Sequence, residues 1–453
     1  MRKFQRVAAT VGAIALTLGA CAGGTSDEGA SDTVDDVADD TTGEADDDGE
    51  GSATATEDGS TATTLDVEDW DSVLEEARGT TVNFHMWGGS ENINGYVTDI
   101  LGEFVAEEYG VTLNLVPVGD TVDAVNTVLN ELQAGVNEDG SVDMVWINGA
   151  NYFTMNQADA LLTEWERVIP NSSLVDWESE KINTDFGFPV EGMSPWTSTF
   201  FQLVYDSDRI DEADVPRTYD ELRTWILDNP GRFTYPELPV FHGTRFVQTV
   251  LYETTGGHEQ WRDTDADTFL ADSRPAWEYL KEIEDSLWQQ GQSYPNDIAQ
   301  LNQLFANGEV DFTISFTPSG IKGLVDSGEL PESARPFVLE NSAASDANYL
   351  AVPVNAANPA GALVVANAAL DPAMQLGILD PEAAGWGDGV VIQTDRIDEE
   401  AQAEYQQVAD NIAPYGLAPE VLAAEEVPHP SPEIVTEIEQ AWDTYIRQGQ
   451  PLP

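Results

Sequence analysis

The order in which strand and helix patterns alternate from Trp70 onward restricts the fold of this chain more than any other feature. Thr81-Val82-Asn83-Phe84-His85-Met86-Trp87 reads as a strand and stops at the turn Gly88-Gly89. After Gly95, residues Val97, Ile100, Leu101, Phe104 and Val105 fall on one face of a helix. Val111 to Val116 alternates as a second strand, and Val122, Val125, Val128, Leu129 and Leu132 form another helical stripe. Asp143 to Ile147 is a short apolar strand ended by Asn148-Gly149. Parallel neighbours need a crossover, and crossover helices bury their apolar stripes on the sheet; this β-α-β-α-β order therefore predicts a mainly parallel sheet covered by helices. The second half repeats the style without repeating the sequence. It holds a strand at Phe201 to Tyr205 and a capping box at Thr218-Tyr219-Asp220-Glu221. A helix starting at Ser273 and Pro275 turns Trp277, Leu280, Ile283 and Leu287 inward, and Leu301, Leu304 and Phe305 line the next helix before a strand at Val310 to Phe316. A helix from Ala360 to Leu370 halts at Asp371-Pro372, and Ser431-Pro432 opens a last one. At 453 residues, two or three compact units plus tails are expected.

The first 21 residues read as a targeting segment. Arg2, Lys3 and Arg6 precede an uncharged, mostly apolar run from Val7 to Leu18, which is shorter than the roughly 20 residues a membrane-spanning helix needs. Leu18-Gly19-Ala20-Cys21 follows, and Cys21 is the only cysteine in the chain. This resembles the bacterial lipobox, in which the thiol carries a diacylglyceryl group; two acyl chains give stable anchoring. From Ala22 to Asp69 there are 17 acids and no Lys or Arg among Gly, Ser and Thr. A stretch of that composition cannot bury enough apolar surface to offset its chain entropy and is expected to be a self-repelling tether.

The folded part is also strongly acidic. The chain has 83 Asp and Glu against 18 Lys and Arg; without the 17 tether acids and the three leader cations, 66 acids face 15 bases. Such a surface repels nucleic acid and anionic membranes. With only Lys3, Lys181, Lys281 and Lys322 as lysines, the composition suits a protein working in strong salt, where screening removes the self-repulsion; an ordinary acidic secreted protein is the alternative.

Several stretches carry a family resemblance. The lipoprotein signal, the strand ending Met86-Trp87-Gly88-Gly89, and Asp311-Phe312-Thr313-Ile314-Ser315-Phe316 resemble extracellular solute-binding proteins of ABC importers. Trp146-Ile147-Asn148-Gly149, Ser194-Pro195-Trp196, Asn229 to Pro236, Phe246 to Glu253, and Val352-Pro353-Val354-Asn355-Ala356 are similar to the branch catalogued as YnjB-like. The resemblance runs from about Val82 to Leu379. It implies a two-lobe α/β fold of the periplasmic-binding-protein type (type II), with discontinuous lobes and a ligand cleft between them. The expected segments are a signal peptide at 1–20, the lipidated Cys21 and tether at 21–69, a first lobe at 70–196 plus 317–370, and a second at 197–316 plus 371–453. The chain would cross between lobes near Pro195-Trp196, near Phe316-Thr317-Pro318, and near the end of the Ala360 helix. Implied partners are a small solute and the membrane permease subunits, with the protein monomeric, bound to no nucleic acid, and held on the outer face of the cytoplasmic membrane.

Ligands of open α/β sheets bind beyond the carboxyl ends of strands. That rule selects Trp87, Gly88, Gly89 and Ser90, then Asn148, Gly149 and Asn151; the crossings add Trp196, Thr197, Phe316 and Thr317. Each Trp has core packing as its alternative role. Thr244 and Arg245 open a helix that suits an anionic group, unless Arg245 serves an ion pair. Trp87, Trp146, Trp196, Phe316 and Tyr349 could instead cage an organic cation such as thiamine or a polyamine; a carboxylate, sulfonate or phosphate is the alternative solute. Asp263-Thr264-Asp265-Ala266-Asp267 mimics a calcium loop but lacks its Gly and has Arg274 where the bidentate Glu belongs. His85, His242, His258 and His429 are scattered singly, and no H-E-x-x-H, G-x-S-x-G or Walker loop occurs. No metal, cofactor or catalytic residue is therefore expected. The competing classes are a solute-binding module, a secreted hydrolase using two carboxylates, and an adhesion or sensory lipoprotein.

Overall fold

The computed structural model describes residues 65–261, 266–384, 386–413 and 415–452. Cys21, the leader, most of the expected tether and the Asp263–Asp265 part of the calcium-loop mimic lie outside the described residues.

Eleven strands are described: β1 (Thr81–Trp87), β2 (Thr112–Val118), β3 (Met144–Ile147), β4 (Thr184–Asp185), β5 (Phe188–Pro189), β6 (Met193–Phe200), β7 (Gln202–Asp206), β8 (Phe312–Ser315), β9 (Ala334–Phe337), β10 (Ala343–Ala351) and β11 (Glu426–Val427). The large sheet runs β2-β1-β3-β10, with β6 on the other side of β10 and β11 beside its start. β1 pairs in parallel with β2 and β3, from Thr81 opposite Thr112 to Trp87 opposite Val118. β10 is antiparallel to both β3 and β6, so the sheet is mixed rather than mainly parallel. A second sheet, β8-β7-β9, is antiparallel throughout. β4 and β5 form a separate small hairpin.

The elements form for local reasons visible in the sequence. In β1, buried Val82, Phe84 and Met86 alternate with residues that keep contact with water, as period 2 demands. Asp120 caps the helix Thr121–Gln133 through the Val122 N–H, and its buried face is Ala124, Val125 and Val128. Val122 sits in the first turn and is exposed, so the expected stripe begins one turn late. Thr218 accepts the Glu221 N–H, while the Glu221 carboxylate turns back to the N–H of Arg217.

Two large hydrophobic cores divide the described residues into lobes, beside a small third cluster of Phe200, Val338, Ala343 and Leu422. The first gathers Val73 to Trp196 and Ala347 to Tyr405; the second gathers Phe201 to Ala344 and Val427 to Ile446. The chain thus passes between lobes at 197–200, within β10 at 345–346, and again between Tyr405 and Val427. Two of these passages differ from the sequence expectation. Ile321, Leu330 and Phe337 remain in the second core, and Met374, Ile378 and Trp386 in the first. The cause is β10, the long strand that carries the second passage. Its sequence, Ala-Ala-Ser-Asp-Ala-Asn-Tyr-Leu-Ala, contains no β-branched residue and gives no strand signal. The tether boundary moves as well: Leu65 and Val67 pack on the first core, and Asp69 caps the helix Trp70–Ala77.

Candidate functional site

A cavity of about 620 Å³ lies between the lobes. Residues 179–187 of the first lobe form one wall, His258, Glu259, Pro428, His429 and Ser431 of the second form the other, and Ser345, Asp346 and Ala347 of β10 lie between them. Five carboxylates face it, Glu180, Asp185, Glu259, Asp346 and Glu426, against one ammonium, Lys181. The Lys181 Nζ is 4.0 Å from Glu426 and lies over the Phe200 ring, and burial lowers its pKa.

Behind the cavity, charges from both lobes converge. Asp346 accepts the Arg245 guanidinium at 3.2 Å and pairs with His429. Gln248 Oε1 takes the other Arg245 edge at 2.7 Å and lies 3.2 Å from His429 Nδ1. Two aromatic rings lie against the Arg245 guanidinium, Phe186 at 5.3 Å and Phe241 at 4.7 Å. Burial pushes Asp346 up to about 6, held back by Arg245. Burial also pushes Asp185 up to about 7, with the N–H of Gly149 acting against the rise. Guanidinium, imidazole and two crowded acids in a dry position are chemistry for holding charge, with each acid near the boundary between its protonated and ionised forms.

Phe186 reaches this cluster from the tip of the β4–β5 hairpin. Phe186 and Gly187 both have positive φ, +47° and +82°, the geometry of a two-residue type I′ turn. The ring approaches so close to Gly149 that a Cβ there would sit 3.3 Å from it, and Gly149 itself has φ +57°. Any other residue at position 149 would meet both constraints at once.

None of the fifteen residues selected from the sequence lines the cavity, and several stand directly behind its walls. The buried Tyr349 hydroxyl donates to the cluster of carbonyls of Lys181, Ile182 and Thr184, which places the hairpin. Asn148 donates to the Ala347 carbonyl at 2.8 Å, and Gly149 donates its N–H to Asp185. Arg245 supports Asp346, and Thr244 donates to Glu439 inside the second lobe. The five aromatics do not form one cage. Trp196 and Tyr349 are fully buried, and Trp146, Trp196 and Trp386 pack on one another at 5.0–6.2 Å. Phe316 packs on Phe201 and Phe241, while Trp87 is 43% exposed, its indole lying over Gly89. Ser90 caps a helix, Gly88 packs on Pro117, and Asn151 is half-buried in the first turn of the helix Gly149–Gln157. Thr197 donates to Asp388, and the Thr317 carbonyl accepts from Gln202. The residues missed, Asp185, Phe186, Asp346 and His429, sit in segments whose sequences show no apolar periodicity. The one local signal is Phe186-Gly187 between Asp185 and Phe188, a turn dipeptide of uncommon composition.

Comparison with known proteins places this architecture. The chain is 33% identical over 376 residues to protein YnjB of Escherichia coli (strain K12), covering 83% of this chain and 93% of that one. An ABC transporter structure from Clostridium perfringens superposes with a TM-score of 0.56 at 15% identity, over 81% of this chain and 99% of that one. The spermidine/putrescine ABC transporter substrate-binding protein PotD of Streptococcus pneumoniae gives 0.53 at 14%, with the same coverage. The periplasmic binding protein AfuA of Actinobacillus pleuropneumoniae, solved with fructose-6-phosphate, gives 0.51 at 10%, again over 81% and 99%. At these identities the structures speak for the two-lobe fold, which accommodates solutes of either charge. Residues 100–385 match the family described as bacterial extracellular solute-binding protein, and with the YnjB likeness over most of its length the chain belongs to that family.

Proposed function

We propose that this solute-binding component of an ABC transporter captures a small organic cation between its lobes and presents it to the permease from a lipid anchor at Cys21. The observation that carries the charge assignment is the cavity wall: five carboxylates, drawn from both lobes and the strand between them, line it with one ammonium, Lys181, which lies beside Glu426, while Asp346 is shared with Arg245 and His429. A unit positive charge about 5 Å from one carboxylate gains roughly 3 kcal/mol at an effective dielectric near 20, and closure of the lobes lowers the dielectric further. An anionic solute would need Arg245, which is already engaged by Asp346 and Gln248. Anchoring rests on Leu18-Gly19-Ala20-Cys21 and the leader before it.

The test is calorimetric titration of the protein with spermidine, putrescine and thiamine, and in parallel with succinate, taurine and phosphate, in 0.15 M and 2 M KCl. At least one cation is expected to bind and to raise the melting temperature at both salt concentrations, with no response to the anions. Binding of an anion alone would overturn the charge assignment. The variant Asp346→Asn should weaken cation binding by tenfold or more, because it removes a carboxylate from the wall and leaves the Arg245 charge behind it unbalanced.

A further inference from the structure

The hairpin β4–β5 is anchored to one lobe and ends against the other. Its base belongs to the first lobe: Tyr349 holds three carbonyls before it, the Tyr152 hydroxyl donates to the Pro189 carbonyl at 2.7 Å, and Phe188 stacks on Phe153 at 4.4 Å. Its tip belongs to neither in that sense. The Phe186 ring lies 5.1 Å from the His429 imidazole, 17° from parallel, and over the Arg245 guanidinium, and both of these side chains come from the second lobe. Phe241 of the second lobe also lies against the Arg245 guanidinium, 4.7 Å away. The guanidinium thus meets one ring from each lobe, and among the described residues its buried Nε has no hydrogen-bond partner. Nothing local requires Phe at position 186. Its φ of +47° belongs to Gly, Asn and Asp, and the turn would be relaxed by any of them. A bulky residue in a left-handed position is a cost borne by the tertiary contacts it makes.

We infer that Phe186 is an interlobe latch: its ring, carried by the first lobe, packs on Arg245 and His429 of the second and by itself holds the two lobes together. The groups facing the ring are Arg245, His429, Asp346 and Asp185, and a flat aromatic face suits the first two where a carboxylate or hydroxyl would not. This inference rests on closure of two lobes around a solute and not on the charge of that solute.

The test uses the full chain with Cys21→Ser and spin labels on Glu107→Cys in the first lobe and Asp220→Cys in the second, both exposed, freed of solute by unfolding and refolding. Dipolar distances are compared among the Phe186 protein, Phe186→Gly and Phe186→Tyr, with melting curves confirming that each folds; Gly relaxes the positive-φ turn and so preserves the hairpin. The expected result is a single short distance for Phe186 and Phe186→Tyr, and for Phe186→Gly a distribution shifted several ångströms longer. Coincident distributions for Phe186 and Phe186→Gly would overturn the latch, as would a Tyr variant as open as the Gly variant. Because no solute is present, failure here is separate from failure of the cation to bind.

Discussion

Replacing Asp388 with Asn should stabilise this protein, and more so as the pH rises. Asp388 is 4% exposed, and it accepts a hydrogen bond from Thr197 at 3.1 Å and another from Trp386. No Lys or Arg pairs with it among the described residues. Burial without a cation pushes its pKa from 3.8 up to about 7. The folded protein therefore binds more protons than the unfolded chain between those two values. The contribution is fully favourable below pH 3.8 and is lost as the pH rises through about 7. At 1.36 kcal/mol per pH unit of displacement, the ionised carboxylate costs on the order of 4 kcal/mol at pH 8, and less than about 2 kcal/mol at pH 5. Asn has the shape of the protonated acid and carries no such cost. The expected gain of Asp388→Asn is therefore roughly 4 kcal/mol at pH 8, shrinking by half or more at pH 5. For a lobe of this size that is a rise in melting temperature of about 8 °C or more at pH 8. Asp185 and Asp346 are displaced in the same direction, so the variant should reduce the acid-side slope without abolishing it. Melting curves of both proteins at pH 5 and pH 8 decide the matter. A gain equal at the two pH values, or a loss at both, would show that Asp388 is ionised and satisfied where it lies.

Arg245→Met should cost about 3–5 kcal/mol in urea unfolding, because Asp346 then stays buried with His429 as its remaining partner; adding Asp346→Asn should restore at least about 1 kcal/mol, and strict additivity would show that the pair does not interact. Removing residues 22–64 should leave the melting temperature unchanged, whereas removal through Asp69 should cost about 1–3 kcal/mol by stripping Leu65, Val67 and the Asp69 cap. Cys21→Ser should move the protein from the membrane fraction to the soluble one; unchanged partitioning would refute the anchor. With 69 acids against 15 bases from Leu65 onward, raising KCl from 0.1 M to 2 M should stabilise the folded part more than a neutral control protein, as the screening length falls from about 10 Å to about 3 Å by 1 M; equal gains would rule out salt adaptation.

Much of the fold could be read from the chain because its determinants are local. The period-2 burial of Val82, Phe84 and Met86, the helical stripe of Val97, Leu101 and Val105, and the caps at Thr218 and Ser431 follow from neighbouring residues alone. The composition of the acidic stretch and the motif at Cys21 are equally local, and the family resemblance rests on short strings in order. Sequence reasoning placed Arg245, Asn148, Gly149 and Tyr349 near the cleft, yet assigned them to the solute; in the structure they brace the residues that face it.

What only the tertiary structure decided is where separate segments meet. β10 has no strand signal of its own and is held as a strand by β3 on one side and β6 on the other, so the second crossing between lobes could not be placed before those pairings were known. Asp185, Asp346 and His429 lie 80 or more residues apart in the chain; the raised pKa values of the two acids and the pairing of Asp346 with His429 arise from shared burial. Phe186 is the sharpest case. The turn composition disfavours it, and its place in the molecule is explained by Arg245 and His429, which reach it from the opposite lobe. Local propensity and periodicity are properties of a stretch of sequence, whereas desolvation and charge pairing are properties of a place, and the place exists only once both lobes have folded.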